Sequence, residues 1–361
     1  MFLPVARPRL PTADAVLPYL QRIDDSRTYS NFGPLVTELE ARLAQRLHVA
    51  PDTVVTVTNA TLGLTLALQT VVSEAAGYCL MPAWTFVATA HAVSAAGLTP
   101  FLVDVDDASW ALTPEIARDA LARIDGRVVA VMPVAPFGSP IDTAAWDRFT
   151  AETGIPVVID AAAGHDGVRV GDAPVVVSLH ATKILGAGEG GYVACRRVET
   201  IFAIKRRSNF GFHGNRDAQS TATNAKMSEY HAAVGLAAMD RYPLDIAAFA
   251  AVAAQYRQQL PRRVRIDLQP GFGTHWRGSV CVARFFGMDR DRIADRLDDM
   301  GIGTRAWWGG GVHTQTAFKD LPRLPLPVTE RLAQETLGLP YSVDLAESDV
   351  ARVCAAIENA L

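Results

Sequence analysis

The stretch Ser178-Leu179-His180-Ala181-Thr182-Lys183 lies between the apolar run Val175-Val176-Val177 and a glycine-rich segment at residues 186–191. A short apolar run of this kind is typical of a strand that is buried on both faces. Lys183 therefore follows a buried strand among apolar and small residues, where desolvation disfavours its ammonium form. A lysine in that environment can act as a Schiff-base nucleophile. An exposed turn lysine would fit the same short pattern, so the rest of the chain has to decide.

A second apolar run, Val157-Val158-Ile159, ends at Asp160. In open α/β sheets, ligands bind beyond the carboxyl ends of the strands. Pyridoxal phosphate (PLP) needs a carboxylate opposite its ring nitrogen, because that charge keeps the nitrogen protonated and the ring an electron sink. A carboxylate after one strand and a lysine after the next, Asp160 and Lys183, therefore indicate PLP chemistry.

The region between residues 53 and 195 alternates short apolar runs with helical patterns. Seven runs are present, and they begin at Val54, Cys79, Phe101, Val128, Val157, Val175 and Tyr192. Helical patterns between them lie at residues 62–72, 87–96 and 114–123. Such alternation predicts an α/β layer with a mostly parallel, seven-stranded sheet and right-handed crossovers.

The remainder of the chain predicts a second, smaller unit. Helical patterns run from Met227 to Met239 and over residues 248–260, and a strand candidate lies at residues 280–285. Three further helices are expected at residues 291–300, 329–337 and 348–361. We therefore predict a large domain of residues 1–244, which includes the N-terminal segment, and a small C-terminal α+β domain of residues 245–361.

Composition excludes several classes of protein. The chain has 361 residues and a formal net charge of −4, which gives no electrostatic footprint for nucleic acid. No apolar stretch approaches the ~20 residues that a membrane span needs. The four cysteines are far apart, form no pair with metal-ligand spacing and suit reduced thiols. We expect a soluble cytoplasmic protein without a metal site.

Two turns after predicted strands carry candidate cofactor contacts. Thr58-Asn59-Ala60-Thr61-Leu62-Gly63 follows the first strand and opens a helix, whose free N–H groups form a ready phosphate site. An ordinary N-cap by Asn59 or Thr61 is the alternative for this turn. The next turn places Phe86 beyond the second strand, where an aromatic ring can stack on a planar cofactor or simply be core.

The glycine-rich segment at residues 186–191 is a poor match to a nucleotide loop. It lacks the lysine-then-hydroxyl ending of a P-loop, and it precedes a strand where a dinucleotide fingerprint would precede a helix. Its glycines are better explained as positions where the backbone passes close to a ligand.

The order of these segments resembles the fold-type I PLP enzymes, specifically the DegT/StrS-type sugar aminotransferases. The resemblance covers nearly the whole chain and includes Pro82-Ala83-Trp84-Thr85-Phe86-Val87-Ala88-Thr89-Ala90 and Met227-Ser228-Glu229. Further matching segments are residues 101–106, 132–134, 160–162, 182–191, 301–305 and 339–340. This resemblance implies that the chain has the fold of the fold-type I PLP-transferases.

The resemblance also implies a role for each matching residue. Lys183 corresponds to the lysine that holds the cofactor as a Schiff base and moves the proton. The remaining cofactor contacts that it implies are Asp160 on the ring nitrogen, Phe86 over the ring, and Thr61, the backbone of Leu62 and Ser178 on the phosphate. Asn224 corresponds to an asparagine that reaches the phosphate of the neighbouring subunit, which implies a homodimer with shared sites. A helix cap is the alternative for Asn224.

The chain departs from the family pattern near Asp160. The family often has glutamine or histidine at Ala163, which contacts the phenolic oxygen of the cofactor. His165, two residues on, either replaces that contact or is a structural histidine. Ala60, Ala135 and Phe137 also stand where the family often has glycine, histidine and tyrosine.

The implied reaction moves an amino group from glutamate to a nucleotide-linked keto-deoxysugar, with a 4-keto-6-deoxyhexose favoured by residues 178–183 and 225–227. Amination of the 3-keto position and an aminocyclitol precursor as acceptor are alternatives. Dehydratases of this family replace the lysine, and a catalytically silent sensor would tolerate its loss. Because Lys183 and Asp160 are both present, transamination is preferred over these two.

Overall fold

The computed structural model describes residues 2–73, 76–261 and 265–361. The first seven strands are β1 (Val54–Val57), β2 (Tyr78–Pro82), β3 (Thr99–Val103), β4 (Val128–Val131), β5 (Ile159–Asp160), β6 (Val175–Ser178) and β7 (Gly191–Ala194). The helices up to this point are α1 (Ala13–Ser26), α2 (Pro34–Leu47), α3 (Ala60–Val71), α4 (Val87–Ala95), α5 (Pro114–Arg123) and α6 (Thr143–Thr153).

These strands form one sheet in the order β3-β2-β4-β5-β6-β7-β1. Parallel ladders join β2 to β3 and β4, and β5 to β6. Parallel bridges from Val131 to Val157 and from Val134 to Asp160 connect β4 to β5. Only β7 runs antiparallel to its neighbours, β6 and β1. The predicted α/β fold with a mostly parallel, seven-stranded sheet is confirmed.

The sheet is buried on both faces, as its uniformly apolar runs predict. Helices α3 and α4 cover one face, where Val57, Val176 and Val193 point, and we call this the α3 face. The other face carries Val177 and Tyr192. It is covered by α1, α2 and α8 (Glu229–Gln259), and we call it the α8 face. Alternate residues of each strand therefore belong to different faces.

The remaining elements are α7 (Val198–Arg207), β8 (Ile266–Leu268), β9 (Cys281–Phe285), α9 (Arg290–Asp299), α10 (Pro327–Glu335), β10 (Thr336–Leu339) and α11 (Glu347–Ala360). The last three strands form a separate antiparallel sheet in the order β10-β9-β8. The N-terminal segment pairs with this part of the chain, Leu3 with Ile302 and Ala6 with Tyr341.

Two sequence predictions differ from the structure. The two helical patterns after Met227 are one 31-residue helix, α8, which continues through Pro243. The helix expected at residues 329–337 ends at Glu335, and β10 starts at Thr336 because the chain turns to pair with β9. Residue 244 lies inside α8, and the division of the chain into domains at residues 244 and 245 stays a prediction. None of the described helices combines the length and apolar character required to cross a membrane.

Candidate active site

Asp160 ends β5 with its side chain on the α3 face, since its neighbour Ile159 packs on the other face. Only 5% of Asp160 is exposed. Its Oδ2 accepts a hydrogen bond from Thr89 Oγ1 at 2.8 Å, and its Oδ1 accepts one from the Ala162 N–H at 3.1 Å. Burial raises the pKa of Asp160, and these two hydrogen bonds and the charge of Lys183 oppose that rise. The result is a fixed carboxylate at the end of the strand.

Lys183 lies in the turn between β6 and β7, as the sequence predicts. Burial lowers the pKa of Lys183, and the negative charge of Asp160 partly opposes this effect. The two groups are thus near enough to influence each other's ionisation. No described residue forms a hydrogen bond with the Lys183 amine, so the amine remains available for chemistry.

A pocket adjoins Lys183 on the side of the N-terminal segment. Its wall includes Arg7 and Arg9 of that segment, Phe249 of α8, and Tyr341. Arg9 forms an ion pair with Asp245 at 2.5 Å. Arg7 has no ion-pair partner among the residues that the structure describes. Asp245 lines the same pocket and compensates the charge of Arg9, so the uncompensated positive charge near Lys183 comes from Arg7.

The predicted phosphate residues meet at the amino end of α3. Asn59 caps this helix and accepts from the Leu62 N–H at 2.9 Å, while within the described chain the N–H groups of Ala60 and Thr61 have no partner. The Leu62 amide that the sequence assigns to a phosphate is therefore already bonded to Asn59. The ordinary N-cap, which the sequence offered as the alternative to a phosphate site, is thus present, and Asn59 supplies it.

Ser178 lies near the same end of α3, because a glycine of the glycine-rich segment lets β7 approach the helix closely. It ends β6 directly opposite Gly191, and a Cβ added to Gly191 would lie 2.9 Å from the backbone N of Ala60. Only glycine permits that approach of β7 to α3. Ser178 Oγ accepts from the His180 N–H at 3.2 Å, which leaves its own hydrogen free to donate.

Phe86 immediately precedes α4 and is 57% exposed. Thr89, which holds Asp160, lies one turn further along the same helix, and its N–H donates to the Phe86 carbonyl at 3.2 Å. The aromatic ring and the carboxylate are therefore supported by the same turn. The role of Phe86 over a cofactor ring stays a prediction.

His165 does not join these residues. Its Nε2 accepts from Arg46 Nε at 3.0 Å, and its Nδ1 lies 3.1 Å from the hydroxyl of Tyr192, which belongs to the α8 face. Burial and the nearby Arg46 lower the pKa of His165 well below the usual value. Both ring nitrogens are engaged within the protein on the face opposite Asp160, so of the two alternatives for His165 the geometry favours the structural histidine over a contact with the cofactor.

Asn224 is exposed, and its Oδ1 accepts from Lys226 Nζ at 2.7 Å. It does not cap α8, because Ser228 does, accepting from the His231 N–H at 3.2 Å. The helix-cap alternative for Asn224 is therefore wrong. The carbonyl of the adjoining residue Ala225 accepts from the Thr58 N–H at 2.8 Å, which places this segment beside residues 58–63 of the same chain, the predicted phosphate turn.

Sequence reasoning assigned no role to a pair of threonines behind Asp160 and did not foresee a cluster of three aromatic rings. Thr85 and Thr89 form a hydroxyl pair behind Asp160, and their spacing of four residues around Phe86 is the available signal. Phe137 stacks on Trp308 with ring centroids 3.9 Å apart, and Trp84 meets Trp308 edge to face at 5.2 Å. No sequence signal links Trp308 to Phe137, because only the folded chain brings them together.

Comparison with known proteins identifies the family. A model of the DegT/DnrJ/EryC1/StrS aminotransferase family matches residues 12–358. A similar relative is the dTDP-4-amino-4,6-dideoxy-D-glucose transaminase of Shigella dysenteriae, which is 27% identical over 358 residues, or 96% of this chain and 95% of the relative.

Solved structures agree with this match. A proposed PLP-dependent aminotransferase from Bacillus cereus ATCC 10987 superposes with a TM-score of 0.93 and 28% identity, covering 99% of this chain and 100% of the other. DesI, solved in the presence of its TDP-sugar product, gives a TM-score of 0.88 and 31% identity, covering 99% and 92%. The chain therefore belongs to the DegT/DnrJ/EryC1/StrS aminotransferase family, as its sequence predicted.

Proposed function

We propose that this protein is a PLP-dependent aminotransferase that moves an amino group from glutamate to a nucleotide-linked keto-deoxysugar, a 4-keto-6-deoxyhexose. The observation that carries the proposal is the position of Asp160 and Lys183 at the ends of neighbouring strands. A buried carboxylate and a lysine of lowered pKa follow adjacent strands and influence each other's ionisation. An acid of raised pKa and a base of lowered pKa that lie together at strand ends are typical of catalytic sites.

The residues present fit PLP. When bound, PLP supplies an electron-withdrawing ring that stabilises negative charge on the carbon of the substrate. The unpartnered N–H groups of Ala60 and Thr61 at the start of α3, with the hydroxyls of Thr61 and Ser178, suit its phosphate. Asp160 suits the ring nitrogen, because an opposite charge there favours the ionised carboxylate.

Lys183 has two tasks in this proposal. Its lowered pKa keeps a larger fraction of the amine neutral, which is the form that attacks a carbonyl carbon. With the cofactor bound, Nζ of Lys183 would accept the proton from the α-carbon of glutamate and would donate a proton to the carbon of the acceptor sugar that receives the amino group. Asp160 stays ionised during these transfers and balances the positive charge opposite it.

The substrate class rests on the relatives and on the pocket beside Lys183. The Shigella relative is named for a dTDP-linked aminodideoxyglucose, and DesI was solved with a TDP-sugar. Both glutamate and a nucleoside diphosphate are anionic, and the pocket wall contains Arg7, whose charge no described carboxylate pairs with. These features support a nucleotide-linked keto sugar as acceptor and glutamate as donor.

The proposal is tested with purified holoenzyme, glutamate and a panel of nucleotide-linked 3-keto and 4-keto deoxysugars together with a keto precursor of an aminocyclitol, with products identified by mass spectrometry. We expect an amino sugar and 2-oxoglutarate in equal amounts from a 4-keto substrate. The Lys183→Ala variant should give neither product. Amination only of a 3-keto sugar or of an aminocyclitol precursor would replace the substrate assignment, and the absence of 2-oxoglutarate with every acceptor would contradict the reaction.

We further propose a homodimer in which Asn224 contacts the phosphate of the partner subunit. Its exposed side chain and the exposed ring of Phe210, on which Lys226 lies at 4.5 Å, form a surface beside the phosphate turn. An interface here would link cofactor binding to assembly. The competing arrangement is a contribution of Asn224 to its own subunit, with which the backbone contact between Ala225 and Thr58 is also compatible.

Mixed dimers separate these arrangements. Subunits carrying Lys183→Ala are mixed with subunits carrying Asn224→Ala. If Asn224 acts on the partner, one site of each mixed dimer is intact, and random pairing restores about a quarter of wild-type activity. Mixing Lys183→Ala with Asp160→Asn is the control, since each site then keeps one lesion. Equal recovery in both mixtures, or none in the first despite confirmed mixed dimers, would contradict the shared site.

The four cysteines support a reducing compartment, which we propose to be the cytoplasm. All four are buried and unpaired. Burial raises the pKa of Cys195 and of Cys354 to about 11, so both remain thiols at neutral pH. Unpaired, unreactive thiols are typical of proteins kept under reducing conditions.

A further inference from the structure

Behind Asp160 lies a chain of two buried hydroxyl groups. Thr89 Oγ1 donates to Asp160 Oδ2 at 2.8 Å, and Thr85 Oγ1 lies 2.8 Å from Thr89 Oγ1. The exposed fractions are 2% for Thr85, 0% for Thr89 and 5% for Asp160, so water does not compete for these bonds. In such surroundings a hydrogen bond is stronger than in water and polarises the next one in the chain.

The direction of both bonds follows from counting hydrogens. An ionised carboxylate accepts only, so Thr89 must donate its one hydroxyl hydrogen to Asp160. Thr89 then has no hydrogen left for Thr85, and Thr85 must be the donor in the second bond. The chain therefore runs from Thr85 to Thr89 to Asp160, and it favours the ionised form of Asp160.

The two hydroxyl groups lie at the start of α4, and this position also favours the ionised form of Asp160. Thr89 is the third residue of α4, so the hydroxyl pair lies at the positive end of the helix dipole. Phe86, the predicted ring contact, is the residue just before the helix. One helical turn thus carries the aromatic ring and the groups that hold Asp160.

We propose that Thr89, polarised by Thr85, is a positioning residue that keeps Asp160 ionised and so keeps the ring nitrogen of the cofactor protonated. The inference rests on the proposed function, in which Asp160 faces that nitrogen. The Ala162 N–H fixes Oδ1 and Thr89 fixes Oδ2, so the two donors together set the plane of the carboxylate. Loss of the Thr89 hydroxyl destabilises the ionised carboxylate, and the proton on the ring nitrogen then moves to Asp160.

The proton on the ring nitrogen can be followed directly. Holoenzyme is prepared with PLP labelled with ¹⁵N in the ring, and the ¹⁵N chemical shift is recorded against pH. Thr89→Val keeps the shape and removes the hydroxyl, and we expect the midpoint for loss of the nitrogen proton to fall by about one pH unit or more, a tenfold change at fixed pH. Thr89→Ser keeps the hydroxyl and should restore a midpoint close to that of wild type.

Thr85→Val tests the direction of the chain. It should lower the midpoint less than Thr89→Val does, and it should have no further effect in the Thr89→Val background, because Thr85 acts only through Thr89. Thr336→Val is the matched control: its buried hydroxyl donates to the Leu332 carbonyl at 2.6 Å, far along the chain from Asp160. The control should leave the midpoint unchanged.

The outcomes also separate this inference from the proposed function. If the visible absorbance of a lysine-bound cofactor forms normally but Thr89→Val and wild type share one midpoint, the inference is wrong while the proposed function stands. If no such absorbance forms even in wild type, the proposed function fails first. If Thr89→Val does not fold, Thr85→Val gives the result instead: a lowered midpoint supports the inference, and a midpoint equal to that of wild type contradicts it.

Discussion

Two carboxylates of this molecule are buried against opposite faces of the same sheet. On the α8 face, Glu40 Oε1 accepts from the N–H and the hydroxyl of Thr56 at 2.9 Å each, and Oε2 pairs with Lys205 Nζ at 3.2 Å. On the α3 face, Asp160 has two neutral donors, and no described cation lies within ion-pair distance of it. Glu40 is neutralised by the protein itself, whereas Asp160 is left without a paired cation, as its proposed role opposite the ring nitrogen requires.

The nitrogen bases repeat this contrast. His165 on the α8 face is engaged at both ring nitrogens, by Arg46 and Tyr192. The Lys183 amine has a lowered pKa and no hydrogen-bond partner in the described part of the chain. Buried polar groups are normally satisfied by the protein. A polar group whose capacity for hydrogen bonds or ion pairs the protein leaves unused is therefore a better guide to function than burial alone.

The largest effect is expected for Lys183→Ala. Removing the nucleophile should lower kcat by about a thousandfold or more and abolish the visible absorbance of the bound cofactor. Borohydride reduction of the wild-type holoenzyme, followed by peptide mapping, should place the pyridoxyl group on Lys183. A label on Lys205, Lys226 or Lys319, the other lysines of the chain, would contradict the assignment.

Asp160→Asn should have the next largest effect on turnover. The amide keeps the shape of the carboxylate but loses a charge-assisted hydrogen bond, so we expect kcat to fall by about tenfold to a hundredfold. Cofactor content should stay near that of wild type, measured by absorbance. A kcat within about threefold of wild type would count against the role of Asp160.

Glu40→Gln is the matched change on the α8 face and sharpens the comparison. It too replaces a buried carboxylate by an amide, but it disturbs the bonds to Thr56 and Lys205. We expect the free energy of unfolding to fall by about 1–3 kcal/mol, measured with denaturant, with kcat unchanged. A large loss of turnover with unaltered stability would mean that the two faces do not divide structure from chemistry.

The smallest effect is expected for His165→Gln, and it depends on pH. The folded pKa of His165 lies below its unfolded value of about 6.5, so below pH 6.5 the unfolded state binds more protons. Stability from this residue is therefore present above about pH 6.5 and is lost as the pH falls towards the folded pKa, at up to about 1.4 kcal/mol per pH unit.

Unfolding curves between pH 7.5 and 5.5 check this expectation. The wild type should lose more stability over that range than His165→Gln, and the variant should keep wild-type kcat at pH 7.5. His313, whose pKa is also lowered by burial, contributes equally to both proteins and cancels in the difference. Parallel pH profiles for the two proteins would mean that His165 titrates the same way folded and unfolded.

Several particular features were predictable from the sequence. The strands at residues 54–57 and 128–131 and the helix at residues 114–123 have the bounds that their patterns predict, because turn residues and a Thr113 cap punctuate them. Asp160 at a strand end and Lys183 before the glycine-rich segment were predictable too, since parallel strands share an edge. Strand β10 could not be predicted, because its short apolar run fits a helix equally well. Its strand conformation follows from pairing with β9, which only the folded chain brings beside it.

The sequence by itself determined the α/β architecture, the candidate residues Asp160 and Lys183, and the family. These depend on local periodicity and on residues close to strand ends. Only the tertiary structure decided between alternatives for a given side chain. His165 and Ala163 are two residues apart, yet whether a histidine there faces the cofactor depends on which face of the sheet the loop returns to. Likewise, a role for the hydroxyl of Thr89 can be assigned only from its hydrogen bond to Asp160, 71 residues away along the chain. Hydrogen-bond partners distant in sequence are fixed by packing, and no local pattern encodes them.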